Sequence, residues 1–396
     1  MTAPLLVAGG DVLAADGPRF RRRDVLVEGA RIVAVAAPGA LTHLPADVHV
    51  LDAAGLLVTP GLVDAQVNGA AGADLTREPW RLAEVAAALP RHGVTAFVAT
   101  VITSAQGTVE RALAAAAAIA ADQPDGGPQA HVVGVHAEGP FLSPARRGAH
   151  PAVHLRDPDR DRVASWSRDA GVVAVTLAPE LPGALDVVAD LTGRGVAVWI
   201  GHSEATFEQA RAATAAGARA VTHLYNAMPP LRHREPGLVG AVLGGFGGDP
   251  PDLVAGVIVD GLHLHPAVVR ATWEVLGTER FVLVSDTTAA LDLPDGPTVL
   301  GDHDVVVQAG AVRLAADGLT LAGSGVGLDR CVRTLVATTG CPAAAAFTAA
   351  TRTPATLLGR PDLGVLAPGA RGDLAVWTPD LTLHAVVIGG RIHQEP

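Results

Sequence analysis

The sequence predicts an α/β protein, with a (β/α)8 barrel of the TIM type and a small β-sandwich domain formed by both ends of the chain. Three observations predict this fold. Short apolar runs alternate with helical patterns through the middle of the chain, both ends are strand-rich, and polar side chains recur where apolar runs end. Of the 396 residues, 49% are hydrophobic and 3% aromatic, which suits closely packed α/β layers.

Composition and charge exclude several kinds of partner. The net charge of -11, without a basic run, argues against nucleic acid. No apolar run approaches the roughly 20 residues that span a bilayer, and no signal peptide is evident at the start. Cys331 and Cys341 form no CxxC pair, so reduced thiols are expected rather than a disulfide. We therefore expect a cytoplasmic protein with neither a nucleic-acid nor a membrane partner.

Both ends of the chain consist of short β-type runs broken by glycine and aspartate turns. Because chain termini usually lie close together, one small β-sandwich built from both ends is the economical arrangement. We assign residues 1–57 and 363–396 to this sandwich and residues 58–362 to the catalytic barrel.

Eight candidate barrel strands lie between the two ends, and helical patterns separate most of them. The strands are expected at Gly61–Val67, Thr95–Val101, Val132–Ala137, Val172–Ala178, Ala197–Gly201, Ala220–Leu224, Val254–Val259 and Phe281–Ser285. The helices include Trp80–Leu89, Val109–Ala121, Leu185–Thr192, Ala205–Gly217 and Ala267–Leu276. This count fits a (β/α)8 barrel, whereas a doubly wound sheet would call for a glycine-rich turn after the first strand. A loop or hairpin insertion is expected over Leu291–Leu319, before helices that start at Leu328 and Ala344.

Four potential ligands fall at equivalent places in this pattern. Glu138, His202, His223 and Asp286 end predicted strands three, five, six and eight, with gaps of 64, 21 and 63 residues. Any one of them alone is more often structural, but the carboxyl ends of barrel strands meet at one mouth. One carboxylate and two imidazoles leave a position open on a catalytic metal ion; zinc suits this set and iron(II) also accepts it. Asp286 beside them could accept a proton from water and later deliver it.

The first predicted strand carries a sharper clue. Pro60–Gly69 has the frame in which metal-dependent amidohydrolases usually carry His-x-His, but here those places hold Gln66 and Asn68. Neutral amides are poor zinc ligands, so we expect one divalent metal ion per chain rather than two.

Over nearly its whole length the chain resembles the N-acetylglucosamine-6-phosphate deacetylase family of amidohydrolases. The motifs that carry the resemblance occur in the family's order. They are Pro60–Gly69, Val135–Phe141, Gly148–His150, Gly201–Ser203, Thr222–Pro229, Arg234–Gly237, Asp260–His263 and Leu321–Ser324. The resemblance implies hydrolysis of the acetamide of N-acetylglucosamine 6-phosphate, a step of amino-sugar catabolism or cell-wall recycling.

The resemblance also implies roles for individual residues. Glu138, His202 and His223 would bind the metal, Asp286 would be the catalytic acid and base, and His150 would polarise the acetyl carbonyl. The implied substrate-binding residues are Ala149, His150, Asn226, Ala227, Arg234, Asp260, His263, Leu321, Ala322 and Gly323. A homodimer is expected, in which Arg234 or His263 reaches the neighbouring subunit's site.

Three alternatives stay open. The chain could act on a cyclic amide, although that class favours an intact His-x-His on the first strand. It could act on another N-acetylhexosamine phosphate, such as the galactosamine epimer. It could also bind a sugar phosphate without catalysis, but that function would need neither a base at Asp286 nor an open metal position.

Overall fold

The computed structural model describes residues 3–122, 127, 129–248 and 251–394. The predicted sandwich includes residues 1–2 and 395–396, and the predicted barrel includes 123–126, 128, 249 and 250; these lie outside the described residues.

Strands dominate both ends of the described chain and alternate with helices between them. In chain order the strands are β1 (Leu5–Leu13), β2 (Phe20–Glu28), β3 (Arg31–Ala36), β4 (His49–Asp52), β5 (Leu57–Pro60), β6 (Leu62–Val67), β7 (Gly69–Ala70), β8 (Ala73–Asp74), β9 (Val94–Ile102), β10 (His131–Glu138), β11 (Val172–Leu177), β12 (Ala197–Ile200), β13 (Ala220–Val221), β14 (Val254–Ile258), β15 (Phe281–Val284), β16 (Gly296–Leu300), β17 (His303–Gln308), β18 (Ala311–Leu314), β19 (Leu321–Ser324), β20 (Leu374–Trp377), β21 (Leu383–Ile388) and β22 (Arg391–Gln394).

The α-helices follow the same chain order. They are α1 (Leu82–Ala88), α2 (Thr108–Asp122), α3 (Ala184–Gly193), α4 (Phe207–Ala216), α5 (Gly237–Gly244), α6 (Pro266–Arg280), α7 (Leu328–Thr339), α8 (Ala343–Ala349) and α9 (Arg352–Leu357). Short 3-10 turns occupy Pro79–Arg81, Leu89–His92, Pro144–Arg146 and Ala152–His154.

Eight parallel strands form the predicted barrel. They pair in the order β6, β9, β10, β11, β12, β13, β14 and β15, and a parallel bridge from Val67 to Thr287 joins the first strand to the segment after the last. All nine residues of β9 are buried, as expected of a parallel strand that is covered on both faces. The predicted barrel is therefore confirmed.

The sixth barrel strand is shorter than predicted. The sequence predicts Ala220–Leu224, whereas β13 ends at Val221. The backbone turns left-handed soon afterwards, with φ of 28° at His223, 78° at Tyr225 and 51° at Ala227. Because positive φ is incompatible with an extended ladder, the strand ends and these residues form a turn at the barrel mouth.

Helix α4 connects β12 and β13, the two neighbouring strands that lead to the histidines. Thr206 Oγ1 accepts a hydrogen bond from the backbone N–H of Gln209, and Gln209 Oε1 accepts one from the N–H of Thr206. This reciprocal capping box satisfies two donors at the start of the helix. Gly217, with φ of 123°, ends it.

Both ends of the chain contribute to one separate sheet. Its strand order is β22, β21, β20, β5, β1, β2 and β3, with β4 also paired to β1. A hydrophobic core of its own includes Val7, Val25, Val58, Leu374 and Val387. The predicted small β domain from both termini is thus confirmed, while its boundaries at 57/58 and 362/363 stay a proposal.

The predicted insertion after the eighth strand is an antiparallel sheet of four strands, β16 to β19. Its buried face includes Leu300, Val305 and Val312, and it packs on Ile102 and Ala149 from the barrel mouth. The insertion therefore forms a wall beside the carboxyl ends of the barrel strands.

The two cysteines are free, as the sequence predicts, and both are buried. Across the described ranges, no helix combines the length and apolarity needed to cross a membrane.

A half-buried histidine, His92, contacts two carboxylates and makes the stability dependent on pH. His92 Nε2 lies 3.0 Å from Asp292, and Nδ1 lies 3.1 Å from Asp329. Burial would lower the pKa of His92, but the two carboxylates raise it from 6.5 to about 9. The protonated ring therefore stabilises the fold fully below pH 6.5, and this contribution is lost as pH rises through about 9.

We expect His92→Gln to remove this dependence. The shift corresponds to at most about 3 kcal/mol of unfolding free energy at neutral pH. Chemical denaturation at pH 6 and pH 10 measures the effect, with the exposed His43→Gln as control. The difference in stability between wild type and His92→Gln should be large at pH 6 and small at pH 10. Equal differences at the two values would contradict the prediction.

Candidate active site

The four potential ligands lie together at the barrel mouth. Glu138 is the last residue of β10, while His202, His223 and Asp286 each follow the end of a strand. These last three have positive φ, of 49°, 28° and 50°. Such backbone conformations are costly for residues with side chains and tend to cluster at functional sites.

Glu138, His202 and His223 form a compact triad. Glu138 Oε1 lies 3.1 Å from Nε2 of His202 and 3.1 Å from Nε2 of His223, and the two Nε2 atoms lie 3.1 Å apart. Two atoms bound to one tetrahedral zinc ion at about 2.0–2.1 Å would be roughly 3.3 Å apart. The three ligand atoms could therefore hold one metal ion.

Two of the three side chains, His202 and Glu138, have the protonation state that suits binding of a cation. His202 Nδ1 donates to the carbonyl oxygen of Arg146 at 2.8 Å, so Nε2 carries the lone pair. Burial, together with the His150 ring, lowers the pKa of His202 to about 4. Burial would raise the pKa of Glu138, but its histidine neighbours hold it well below 4.5. A neutral imidazole and a carboxylate therefore face the third ligand, His223.

Asp286 is a buried carboxyl group beside this triad. Its Oδ1 accepts a hydrogen bond of 2.8 Å from Asn68 Nδ2. Burial and the Glu138 carboxylate raise the pKa of Asp286 from 3.8 to about 7. A carboxyl group with a pKa near neutrality can both accept and donate a proton.

His150 presents an N–H to the site. The backbone N–H of Thr103 donates to His150 Nδ1 at 3.2 Å, so the proton of the neutral ring resides on Nε2. That atom lies 3.8 Å from Glu138 Oε1. His150 is 3% exposed, which excludes the solvent-facing loop position that its sequence context would allow. Sequence reasoning missed Thr103, because only the fold brings it to this ring.

The first barrel strand carries two amides, Gln66 and Asn68, at the places of the expected His-x-His pair. Gln66 Nε2 donates to Glu138 Oε2 at 3.4 Å, as Asn68 does to Asp286. Among the described residues, the carbonyl oxygens Gln66 Oε1 and Asn68 Oδ1 have no hydrogen-bond partner. The two amides thus orient carboxylates, a role that their sequence pattern does not reveal.

A cavity of about 230 Å³ opens above the triad and Asp286. The predicted substrate residues that line it are Ala149, His150, Asn226, Ala227, His263, Leu321, Ala322 and Gly323. The sequence did not single out Ile102, Ile258, Leu300 or Thr320, which also line it. Apolar residues at strand ends and in an insertion look like core positions in a sequence.

Two predicted substrate residues do not line this cavity. Asp260 lies behind His263, and its Oδ2 accepts a hydrogen bond of 2.7 Å from His263 Nδ1. Arg234 is on an exposed loop, where its guanidinium contacts His233 Nε2 at 2.9 Å. The chain therefore does not bring Arg234 to its own cavity.

Comparison with known proteins gives consistent matches. Residues 57–393 match the amidohydrolase family. A curated N-acetylglucosamine-6-phosphate deacetylase from Homo sapiens is 36% identical, over 95% of this chain and 92% of its own length. An N-acetylgalactosamine-6-phosphate deacetylase from Escherichia coli O157:H7 is also 36% identical, over 88% of this chain and 90% of its own.

A solved structure matches the whole fold. The D267A mutant of N-acetyl-D-glucosamine-6-phosphate deacetylase from Mycobacterium smegmatis, in complex with N-acetyl-D-glucosamine-6-phosphate, superposes with a TM-score of 0.86. It is 35% identical, and the match covers 99% of this chain and 100% of that one.

Proposed function

The chain belongs to the amidohydrolase family, and on that premise we propose that it removes the acetyl group of N-acetyl-D-glucosamine 6-phosphate. The products are D-glucosamine 6-phosphate and acetate. The observation that carries this proposal is the convergence of Glu138, His202 and His223 beside the buried Asp286, at the floor of one cavity. Curated relatives with the same named activity span most of the chain and support it.

We assign the metal to the triad of Glu138, His202 and His223, with one ion per chain. Zinc is the proposed ion, and iron(II) would accept the same donors. When bound, such an ion supplies a Lewis acid that activates water and polarises a carbonyl. The amides of Gln66 and Asn68 support a single ion, because they direct N–H groups at the carboxylates.

Asp286 and His150 have different roles in the proposed reaction: Asp286 transfers protons and His150 donates a hydrogen bond. Asp286 accepts the proton of the water that attacks the acetyl carbon, and later delivers it to the departing amine. His150 donates its Nε2–H to the acetyl oxygen as negative charge develops there. A lost donor of this kind often costs about 3–4 kcal/mol of transition-state stabilisation. Water adds across the C–N bond, so acetate and the amine are the balanced products.

The phosphosugar would lie along the rest of the cavity. Asn226 and the backbone of Ala227 are proposed to bind the phosphate. His263 donates Nδ1–H to Asp260, so its Nε2 is free to accept a hydrogen bond from a sugar hydroxyl. The segment from Leu321 to Gly323 would close against the sugar ring.

We propose that the protein acts as a homodimer, with Arg234 serving the partner subunit. Arg234 is exposed and far enough from its own cavity that it does not line it. A guanidinium fork suits phosphate oxygens, so the loop that carries Arg234 could complete the neighbouring site. A cytoplasmic location is part of this proposal, since the free cysteines suit a reducing compartment.

The galactosamine epimer is the second candidate substrate. The relative that is named for it has 36% identity, equal to that of the glucosamine relative from Homo sapiens. The non-catalytic alternative fits less well, because a binding protein has no use for the buried carboxyl of Asp286 beside a metal triad.

Acetate release from the two epimeric 6-phosphates tests the proposal. We expect the zinc-loaded protein to hydrolyse N-acetylglucosamine 6-phosphate with the higher kcat/KM, and N-acetylglucosamine without phosphate poorly. Higher kcat/KM on the galactosamine epimer would select the second candidate. Binding of both phosphosugars without acetate release would refute the enzyme.

A further inference from the structure

The metal ligand His202 has a backbone conformation that its own side chain disfavours. Its φ is 49°, in the left-handed region, and it lies beyond the end of β12. Non-glycine residues keep such a conformation only where the surroundings hold it. The position of the Nε2 atom therefore depends on contacts made by the neighbouring residues.

Three contacts hold this turn from the side of the barrel mouth. His202 Nδ1 donates to the carbonyl oxygen of Arg146 at 2.8 Å, and the backbone N–H of Ser143 donates to the carbonyl oxygen of His202 at 2.9 Å. The N–H of Ser203 donates to the carbonyl oxygen of Ala227 at 3.2 Å. Each of these contacts uses at least one backbone group, so the sequence does not reveal them.

One side chain from the neighbouring strand completes the support. Glu180 follows β11, and its Oε2 accepts a hydrogen bond of 2.6 Å from Ser203 Oγ. Its Oε1 accepts one of 2.6 Å from the backbone N–H of Glu204. Ser203 Oγ in turn accepts from the N–H of Ala205 at 2.9 Å. A single carboxylate thus fixes both residues that follow the metal ligand.

We propose that Glu180 is a positioning residue of the metal centre, acting on His202 through Ser203 and Glu204. The proposal rests on the metal site assigned above. Because both of its oxygens already accept hydrogen bonds, Glu180 is not itself a candidate ligand. The Ser203 hydroxyl and the Glu204 N–H are both donors, and only a side chain with two acceptor oxygens satisfies both. A carboxylate provides these two oxygens.

The consequence is a specific loss of metal affinity. Mutation of a residue that supports a metal ligand without contacting the metal typically lowers metal affinity or activity by about 10- to 100-fold. We expect Glu180→Ala to weaken Zn2+ binding by about 10- to 100-fold. Glu180→Gln keeps one acceptor and places an NH2 group against a donor, so we expect about a 10-fold loss.

Competition with a chromophoric chelator measures the Zn2+ Kd without any assay of turnover. Ser203→Ala and the double variant with Glu180→Ala test the route of the effect. We expect the loss of Zn2+ affinity in the double variant to be smaller than the sum of the two single losses, because both substitutions remove the hydrogen bond between Ser203 and Glu180. The exposed Glu208→Ala on α4 is the matched control and should keep the wild-type Kd.

Three outcomes would overturn the proposal. The first is a Zn2+ Kd within twofold of wild type for folded Glu180→Gln or Glu180→Ala. The second is a double variant in which the losses of Zn2+ affinity from Glu180→Ala and Ser203→Ala are fully additive. The third is the absence of tight Zn2+ binding by wild type. Glu180→Gln serves as the test if Glu180→Ala does not fold. Wild type that binds Zn2+ but releases no acetate refutes the proposed function alone and leaves this comparison valid.

Discussion

Asp286→Asn is expected to lower kcat for acetate release by about 10²- to 10⁴-fold while the phosphosugar still binds. Asparagine has nearly the same shape, but it can neither accept the proton of the attacking water nor deliver one to the amine. Asp286 serves both proton transfers in the proposed reaction, and the mechanism gives no other described side chain of the cavity either transfer. The change should therefore appear in kcat much more than in KM.

The surroundings of Asp286 give the substitution a clean interpretation. Asn68 Nδ2 donates to Asp286 Oδ1, and an asparagine can still offer its carbonyl oxygen to that donor. Packing at the site should consequently survive, and near-wild-type thermal stability in the presence of Zn2+ checks this.

The matched control is Asp304→Asn, on the exposed side of β17 in the insertion. It removes one carboxylate from the same part of the chain and should leave kcat unchanged. Acetate release by Asp286→Asn at more than about a tenth of the wild-type rate would rule out Asp286 as the acid and base, given the usual contribution of such groups.

The barrel and the positions of its ligands could be predicted because both follow from local patterns. An apolar run that ends in a polar residue marks the carboxyl end of a strand, and a barrel brings these ends together. Glu138, His202, His223 and Asp286 were found in this way. The family resemblance added His150 and seven other residues that line the cavity.

The supporting residues could not be predicted, because their partners are set by tertiary structure. Glu180 follows the fourth barrel strand but acts on the turn after the fifth, and Thr103 from the second orients His150 after the third. Gln66 and Asn68 were noticed only as missing ligands, although their amides contact two carboxylates. Such contacts join neighbouring loops whose relative positions no spacing in the sequence encodes.

The insertion shows a second limit of sequence reasoning. Its turn-rich composition predicts a loop or hairpin over Leu291–Leu319, whereas the structure has a sheet of four short strands, of which β17 alternates buried and exposed residues. Leu300, the last residue of β16, and Thr320, which directly precedes β19, line the cavity. Which of its residues face the substrate depends on how the sheet packs on Ile102, which a sequence does not contain.

Loss of one metal ligand should be the most damaging single change at this site. We expect His223→Ala to weaken Zn2+ binding by more than the roughly 10- to 100-fold expected for a supporting residue, and to abolish acetate release at ordinary metal concentrations. Two ligands, Glu138 and His202, would remain, and a catalytic zinc site usually has three protein ligands.

Metal analysis, chelation and thermal unfolding together measure the loss of Zn2+ binding in His223→Ala. Wild type should contain about one ion per chain, lose activity with a chelator and regain it with one equivalent of Zn2+. Because an ion bound only by the folded state stabilises it by about 2.7 kcal/mol at a hundred times Kd, Zn2+ should raise the Tm of wild type but not of His223→Ala. The partly exposed His154→Ala is the control and should behave as wild type.

Two results would contradict the single metal centre. Two tightly bound ions per wild-type chain would mean that a second site exists despite the amides of Gln66 and Asn68. Full activity after complete removal of metal would mean that Glu138, His202 and His223 converge for another reason. In that second case the 3.1 Å contacts among the three side chains would have to be hydrogen bonds of a protonated cluster. The Tm of wild type would then fall as pH rises through the pKa of the cluster and would not respond to Zn2+, which distinguishes the two explanations.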